Sequence, residues 1–572
     1  MKDRQNAEQK KIDQVISDLF KQVLTLINLK KYDDAQRFLE EIIKYKPDYP
    51  DSFFQLGNIF MAQNQFEKAI EQYMQVLKKR PDVFENLNNI GTAYYKLKKY
   101  DDAVFYYKKA LAIQSDVEHI LWAVAVCFAE RGALDEAIGY YRRTLNISTK
   151  KTQIYSDLLL TMIYAESVTP EALAEEARKF GKNIAEPVQR KKSFANGKDP
   201  ERKLRIGYVS PDYRDHPIPY FLEPLLKLHD RKNFEIFSYS NTSYDNPIME
   251  RMKKSADFWR DLRDLNSDAA YSLIYSDQID ILIDMAGHTA ANSLMVFARK
   301  PAPVQVTWLG YPATTGMKAM DYRITDHYVE PVGMTEHLNA ETLWRLPKIF
   351  CCYQGHENSP TVIDHPPFED NGYITFGCFN NFMKVRDPVL AAWGRILKQV
   401  PNSRLLLEIP NLDDPKFCKT VEDRLKKQDV PMDRVMLELR TRTNQFVLYN
   451  KIDIALDPFP CCGGTTSMDT LWMGVPLITL AGQSFVSRMG VTILTNAGLP
   501  ELIAYTTEKY IELVVDLAQD RARLKKIRHN LRDRFSSSPA MDQKSFTQDM
   551  EEAYRGMWRK YCVADENRKQ GT

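Results

Sequence analysis

The sequence predicts a two-part fold of class α plus α/β: an array of helical hairpins, then a body of two parallel-sheet lobes. Three observations predict it. Residue types recur every 34 positions through the first third of the chain. From residue 203 the pattern changes to short apolar runs separated by helical lengths, and from residue 373 a second such series begins. The 572-residue length agrees, since at about 150 residues per domain it accommodates three or four. A composition of 44% hydrophobic and 27% charged residues excludes a disordered or fibrous chain. Basic side chains number 78 against 76 acidic, a net +2, so no overall field draws the chain to nucleic acid or to a membrane surface. No apolar run reaches the roughly 18 to 20 residues that cross a bilayer, and the N-terminal stretch lacks an apolar signal core. A soluble, cytoplasmic protein is expected.

The repeats come first. Ala35, Ala69, Ala103 and Ala137 fall in register, each followed four residues later by Leu39, Tyr73, Tyr107 or Tyr141. In the same frame stand Leu56-Gly57 with Phe60, Ile90-Gly91 with Tyr94, and Val124-Ala125 with Phe128, while Pro47 and Pro81 close the first two units. Small residues at fixed offsets let antiparallel helices approach, and the large residue one turn on fills the groove between them. This pattern resembles the tetratricopeptide repeat over about residues 13–150. The resemblance implies a right-handed solenoid of helix pairs stabilised mainly by stacking on its neighbours. Tyr73, Tyr94, Tyr107 and Phe128 are expected in its core. Asn58, Asn86, Asn88, Asn89 and Lys96 are expected, collectively, on a peptide-binding groove. Residues 1–150 form this region. Residues 151–202 read as capping helices and a linker, with Thr169-Pro170-Glu171 as a helix start.

The α/β series follow. Leu204–Ser210, Phe234–Tyr239, Ile279–Asp284 and Val304–Gly310 are the strand-like runs of a first lobe, residues 203–372. Tyr373–Gly377, Arg404–Ile409, Val435–Leu439, Ile452–Asp457 and Leu477–Leu480 are those of a second, residues 373–545, with a C-terminal helix over 546–572. Strands alternating with helices predict βαβ units, and each series suits one Rossmann-like lobe. Two such lobes leave a cleft between the carboxyl ends of their strands.

The sharpest chemical pattern lies at 452–480. A strand ending in Asp457 runs through Pro-Phe-Pro-Cys-Cys into Gly463, Gly464, Thr465 and Thr466, then a short helix containing Asp469, closed by Gly474 and Pro476. Glycines let the backbone approach a ligand, while the unpaired N–H groups of a helix start and its dipole favour an anion such as a diphosphate. Asp469 has two readings, acceptor for a ribose hydroxyl or complement to the helix dipole. The eight cysteines, including the adjacent pairs Cys351-Cys352 and Cys461-Cys462, lack disulfide or zinc spacing and are expected to be reduced, buried thiols. No Asp-x-Asp motif for holding a cation on a nucleotide is present.

The repeats, Ile206–Pro217 with His216, Ala286-Gly-His288-Thr, Arg299–Gly316, Phe376–Lys384, Pro460–Asp469 and Tyr554–Cys562 together resemble the O-linked N-acetylglucosamine transferase and SPINDLY family, glycosyltransferase family 41. The resemblance implies a GT-B glycosyltransferase that moves a sugar from a nucleoside diphosphate to protein Ser or Thr hydroxyls with inversion, using no metal and no cofactor beyond the donor. By position, Lys384 would meet the diphosphate together with Thr465, Thr466 and the Gly463-Gly464 backbone, Asp469 would take the ribose, and Arg442 would contact the nucleotide. Asn381 would touch the phosphates or stabilise its own turn. His216 ends the first strand, where a pKa near 6.5 suits a base for the acceptor hydroxyl or an orienting group. His288 is expected in the same cleft. Gly464 and Gln445 stand where the animal N-acetylglucosamine enzymes carry histidines. These departures leave two donors, UDP-N-acetylglucosamine first and GDP-fucose, as in SPINDLY-type enzymes, a close second. The acceptor is expected to be a protein held by the repeats, with flagellin or another surface protein compatible, and a homodimer is compatible too. A non-catalytic repeat scaffold is the other class of reading.

Overall fold

The structure, a computed structural model, describes residues 2–148, 151–189, 193–357, 359–363, 365–441 and 446–570, without side-chain detail before residue 10 or after 564. It divides into two compact units, residues 1–149 and 150–572. Among the described residues no helix is long and apolar enough to cross a membrane.

The first unit is four helix pairs: Lys2–Asn28 with Tyr32–Tyr45, Pro50–Ala62 with Phe66–Lys79, Phe84–Lys96 with Tyr100–Ile113, and Glu118–Glu130 with Leu134–Ile147. The repeated alanines are all fully buried. A Cβ on Gly57 would stand 2.4 Å from the Tyr73 ring, and one on Gly91 2.7 Å from Tyr107, so each small residue is the seat of the following helix's aromatic. Burying such a ring stabilises the pair by roughly 2–3 kcal/mol. The bend inside each pair falls at Lys30, Asn64, Lys98 and Gly132, all left-handed and all 34 residues apart. At each, the next residue's N–H reaches back to close the helix, as Gln65 does to Phe60 and Ala133 to Phe128. The expected groove polars are partly taken up within the stack. Asn58 Oδ1 accepts from Tyr73 (2.7 Å) and from Asn89 (3.1 Å), and Asn86 is buried with its amide on the Tyr73 carbonyl.

The second unit opens with helices Lys151–Tyr164 and Pro170–Phe180, the latter capped by Thr169 Oγ1 on the Ala172 N–H. A Cβ on Gly181 would stand 1.9 Å from the Gly316 carbonyl oxygen, and one on Gly316 1.9 Å from that of Ala177. Backbone lies on backbone here, and these two positions admit only glycine. Seven parallel strands make the first sheet: β1 Leu204–Ser210, β2 Phe234–Ser240, β3 Phe258–Asp261, β4 Ile281–Asp284, β5 Val304–Thr307, β6 Tyr322–Asp326 and β7 Thr342–Leu346, in the order β3-β2-β1-β4-β5-β6-β7. Six make the second: β8 Thr375–Cys378, β9 Arg404–Ile409, β10 Val435–Leu439, β11 Ile454–Leu456, β12 Leu477–Leu480 and β13 Ile503–Ala504, in the order β10-β9-β8-β11-β12-β13. Central strands are buried on both faces, as parallel sheets require. The last helix, Gln543–Gln570, returns to the first lobe, where Phe546 stacks on Trp308 and the Tyr554 hydroxyl meets that of Tyr208 at 3.0 Å. All eight cysteines are unpaired, seven of them buried.

Candidate active site

Each sheet reverses its strand order once, between β1 and β4 in the first and between β8 and β11 in the second. Crevices beyond the carboxyl ends of strands at such points are where open α/β sheets take ligands. His216 follows β1, His288 follows β4, Lys384 follows β8, and the Gly463–Thr466 loop follows β11.

The loop is folded around a buried carboxylate. Asp457 accepts the Gly463 N–H at 2.7 Å on Oδ1 and the Thr479 hydroxyl at 2.7 Å on Oδ2. Burial pushes this carboxyl up to about 6. A Cβ on Gly463 would come within 2.2 Å of Ser467 Oγ and 3.1 Å of Asn380 Oδ1, so a side chain there would have to displace Ser467; at Gly464 the nearest atom is Met489 Sδ at 3.5 Å, and there is room. Helix Thr465–Trp472 starts immediately, and among the described residues no side chain caps it. Thr465 and Thr466 occupy its first two positions, half-buried. The N–H groups of Ser467 and Met468 turn back on the Gly464 carbonyl. The helix closes at Gly474 (φ 70°), with Val475 N–H on the Thr470 carbonyl.

Lys384 reaches this loop from the neighbouring strand. Beyond β8 the chain makes one tight turn, Phe382–Lys384, and Asn381 caps it, its Oδ1 accepting the Met383 N–H at 3.0 Å. Of the two readings of Asn381, the turn-stabilising one is seen. Lys384 Nζ donates to the Cys462 carbonyl at 2.9 Å, one residue before the paired glycines. Burial alone would lower its pKa. Cys461, Tyr164, Cys462 and Asp457 around it outweigh that and hold the ammonium above its ordinary value.

Asp469 is buried one turn into the helix, where its Oδ1 accepts the Tyr353 hydroxyl at 2.5 Å. Burial, opposed by that bond, raises its carboxyl to about 7. His356 lies 3.9 Å from the same oxygen, its ring set between Tyr220 (3.8 Å between centroids) and Phe446 (4.3 Å). Burial depresses His356 to about 4, so it is neutral here. Tyr220 comes from the first lobe and Phe446 from the second, so aromatic rings from both sides flank the His356 imidazole.

His216 is partly exposed on the loop after β1. Its Nδ1 accepts the Ile218 N–H at 3.4 Å and stands 3.6 Å from Asp212 Oδ2. Burial lowers its pKa, against the pull of Asp212, so the ring is neutral at pH 7. His288 is a correction. It is fully buried, packed between Phe180 (4.8 Å) and Tyr311 (5.2 Å), with Nδ1 at 3.0 Å from Ser156 Oγ and Nε2 at 3.0 Å from the Thr315 carbonyl. Both nitrogens are engaged by protein, which makes it a joint between helix Lys151–Tyr164 and the first lobe rather than a lining of the cleft. Arg442 lies outside the described residues.

The sequence reading missed Tyr353, His356, Tyr164 and Asn380. The first two sit in the stretch between β7 and β8, where no periodicity marks them. Asn380, next to Asn381, is buried beside Gly463, and among the described residues its Oδ1 has no partner.

The profile of glycosyl transferase family 41 matches residues 182–360 and 368–550, and tetratricopeptide-repeat profiles match 51–116 and 88–150. The chain is 39% identical over 417 residues to the "Probable UDP-N-acetylglucosamine--peptide N-acetylglucosaminyltransferase SPINDLY" of Petunia hybrida, a match covering 71% of this chain and 44% of that protein. To the Arabidopsis thaliana protein of the same description named SEC it is 31% identical, covering 66% and 38%. The chain thus spans less than half the length of the curated relatives it matches. Among solved structures, a mutant Thermobaculum terrenum O-GlcNAc transferase superposes with a TM-score of 0.80 at 32% identity, covering 90% of this chain and 98% of that one.

Proposed function

The chain belongs to glycosyl transferase family 41, and on that premise we propose that it transfers a sugar from a nucleoside diphosphate to Ser or Thr hydroxyls of proteins, with inversion and without a divalent metal. The donor is UDP-N-acetylglucosamine, the substrate in the names of its relatives. GDP-fucose is the alternative, kept by the departure at Gly464. The repeat unit holds the acceptor.

One observation carries the reading: Lys384 is anchored at the mouth of a helix that, among the described residues, no side chain caps. In an inverting displacement the acceptor oxygen attacks the anomeric carbon as the bond to the diphosphate breaks, and negative charge gathers on the departing phosphate. A fixed ammonium and oriented N–H groups at that point stabilise charge as it develops and need no reorganisation. Gly463 and Gly464 admit the phosphates, with the Thr465 and Thr466 hydroxyls available as further donors. Asp469, once Tyr353 yields, accepts from the ribose. For His216 to act as base, its Nδ1 must carry the proton toward Asp212, leaving Nε2 free for the acceptor hydroxyl. In the Ile218-bonded tautomer it can only orient.

The test is Lys384→Ala. Removing one preorganised charge stabiliser lowers turnover by about a hundredfold or more while the melting temperature holds. A variant that keeps the wild-type rate defeats the leaving-group assignment. Intact mass of a co-expressed acceptor identifies the donor, since hexosamine and deoxyhexose add different masses.

A further inference from the structure

Three parts of the second unit meet around a cavity of about 100 Å³. Helices Lys151–Tyr164 and Pro170–Phe180 contribute Ile163 and Leu173, the first lobe Pro312 and Leu338, and the second lobe Phe485 and Val486. Leu173 and Pro312 are half-buried and Pro460, also at its edge, is exposed, so the cavity opens to solvent.

The surface of the cavity is mainly apolar, because the polar side chains of its wall are turned to partners within the protein. Thr314 Oγ1 donates to Glu341 at 2.6 Å, Thr169 Oγ1 accepts the Ala172 N–H at 3.2 Å, and Ser484 Oγ lies 3.1 Å from that of Ser487. Among the described residues the charged groups of the wall are Arg323 and Glu330. They pair with each other at 2.7 Å, and the Arg323 guanidinium lies over the Phe485 ring at 4.3 Å. A wall of this kind suits an uncharged, apolar group, and a preformed apolar concavity open to solvent is the usual form of a binding site. Size narrows the class. An apolar cavity of about 150 Å³ admits benzene, and this one, about a third smaller, matches a single branched aliphatic side chain.

Position narrows it further. Pro460 stands three residues before Gly463 and two before the Cys462 carbonyl that anchors Lys384. Tyr164, between the lining residues Ile163 and Ala165, is one of the groups around the Lys384 ammonium. Three residues of chain reach about 10 Å, and an extended peptide advances about 3.3 Å per residue. A side chain in the cavity is then two or three residues from a hydroxyl presented at the glycine loop. We propose that the cavity is an acceptor subsite, taking a branched aliphatic side chain two or three residues from the Ser or Thr that receives the sugar. This deepens the transfer reading above and rests on it. Burying that side chain supplies apolar binding energy beside the transfer point and holds the hydroxyl in place.

The test uses the full chain, UDP-N-acetylglucosamine or GDP-fucose as donor, and short glycine-based peptides with one central Ser. Leu, Phe, Asp or Gly is placed at each flanking position in turn, and donor hydrolysis without peptide is followed alongside. At one position two or three residues from the Ser, kcat/KM is expected to favour Leu over Asp and Gly by about tenfold or more, the discrimination of an apolar pocket. Positions further away are expected to be level. Ala313 is half-buried on the rim, and Ala313→Phe is expected to fill the cavity and bring the Leu-to-Gly ratio at that position close to one. A ratio between peptides is unmoved by a general loss of activity. Should that variant melt early, Leu173→Ala widens the cavity instead and is expected to move the preference from Leu to Phe. Donor consumption with no preference for Leu within three residues of the Ser overturns the subsite alone, as does a preference that stays unchanged in the folded variant. A chain that consumes no donor, by transfer or by hydrolysis, fails the transfer reading itself and the subsite with it.

Discussion

The two lobes use the same device at their strand ends and get opposite results from it. In the first, Asp284 at the end of β4 accepts the N–H groups of Ala286 and Gly287 (3.1 and 2.9 Å) and the Thr307 hydroxyl (2.9 Å). In the second, Asp457 just beyond β11 accepts one N–H and the Thr479 hydroxyl, but that N–H belongs to Gly463, six residues on. Both carboxyls are buried and pushed up to about 6 by burial. The difference is loop length. Capturing an amide two or three residues away ties a closed turn, into which His288 then packs. Capturing one six residues away holds open a wide loop whose next amides begin an uncapped helix. An aspartate at a strand end is therefore no sign of a ligand site by itself; what its carboxylate reaches decides.

The widest separation is expected from the paired substitutions Asp457→Asn and Asp284→Asn. Each removes a buried hydrogen-bond acceptor and lowers stability by about 1–3 kcal/mol, visible as a drop in melting temperature. Only the first is expected to raise the donor KM, by tenfold or more, because only it releases the glycine loop. Equal KM effects from the two would erase the contrast. Within the loop, Gly463→Ala is expected to weaken donor binding about tenfold, since its Cβ would stand 2.2 Å from Ser467 Oγ, whereas Gly464→Ala stays near wild type. Binding isotherms with nucleoside diphosphate separate the two.

A smaller effect comes from Asp469. Its carboxyl titrates near 7, so only about a tenth is ionised at pH 6 and most is by pH 8. If the ionised form accepts the ribose, the donor KM falls by up to about tenfold over that range, and Asp469→Asn flattens the profile. The stability contribution runs the other way. A carboxyl raised from 3.8 to about 7 favours the folded state in acid, and that advantage is lost as pH climbs through 7. Last, His288→Ala is expected to lower the melting temperature through two lost hydrogen bonds, about 2–4 kcal/mol, with the donor KM of the folded fraction unchanged. A KM that rises with it would return His288 to the cleft.

Much of this was legible because it repeats or alternates. The 34-residue frame located the helix pairs, their small residues and their core aromatics, and the strand-loop-helix pattern at 452–480 located the glycine loop and the helix after it. Four strands escaped notice: β3, β6, β7 and β13. The outer strands β3 and β7 are half-exposed and carry charged residues, and β13 is two residues long, so none makes the unbroken apolar run of a central strand. Strand β6 is buried yet mixes Tyr, Arg, Thr and Asp, because Arg323 is paired inside the fold. Contacts between distant segments were invisible for a different reason. Tyr353 meets Asp469 across 116 positions and His288 meets Ser156 across 132, and no local spacing encodes a partner that far away.

The left-handed corners at Lys30, Asn64, Lys98 and Gly132 bear on how such an array can be lengthened. Because every hairpin turns at an equivalent position with the same closing bond, a segment excised from corner to corner is a complete spare part. Grafted at another corner, it would bring its own bend and present matching surfaces to both neighbours. One cut at mid-helix would arrive with neither.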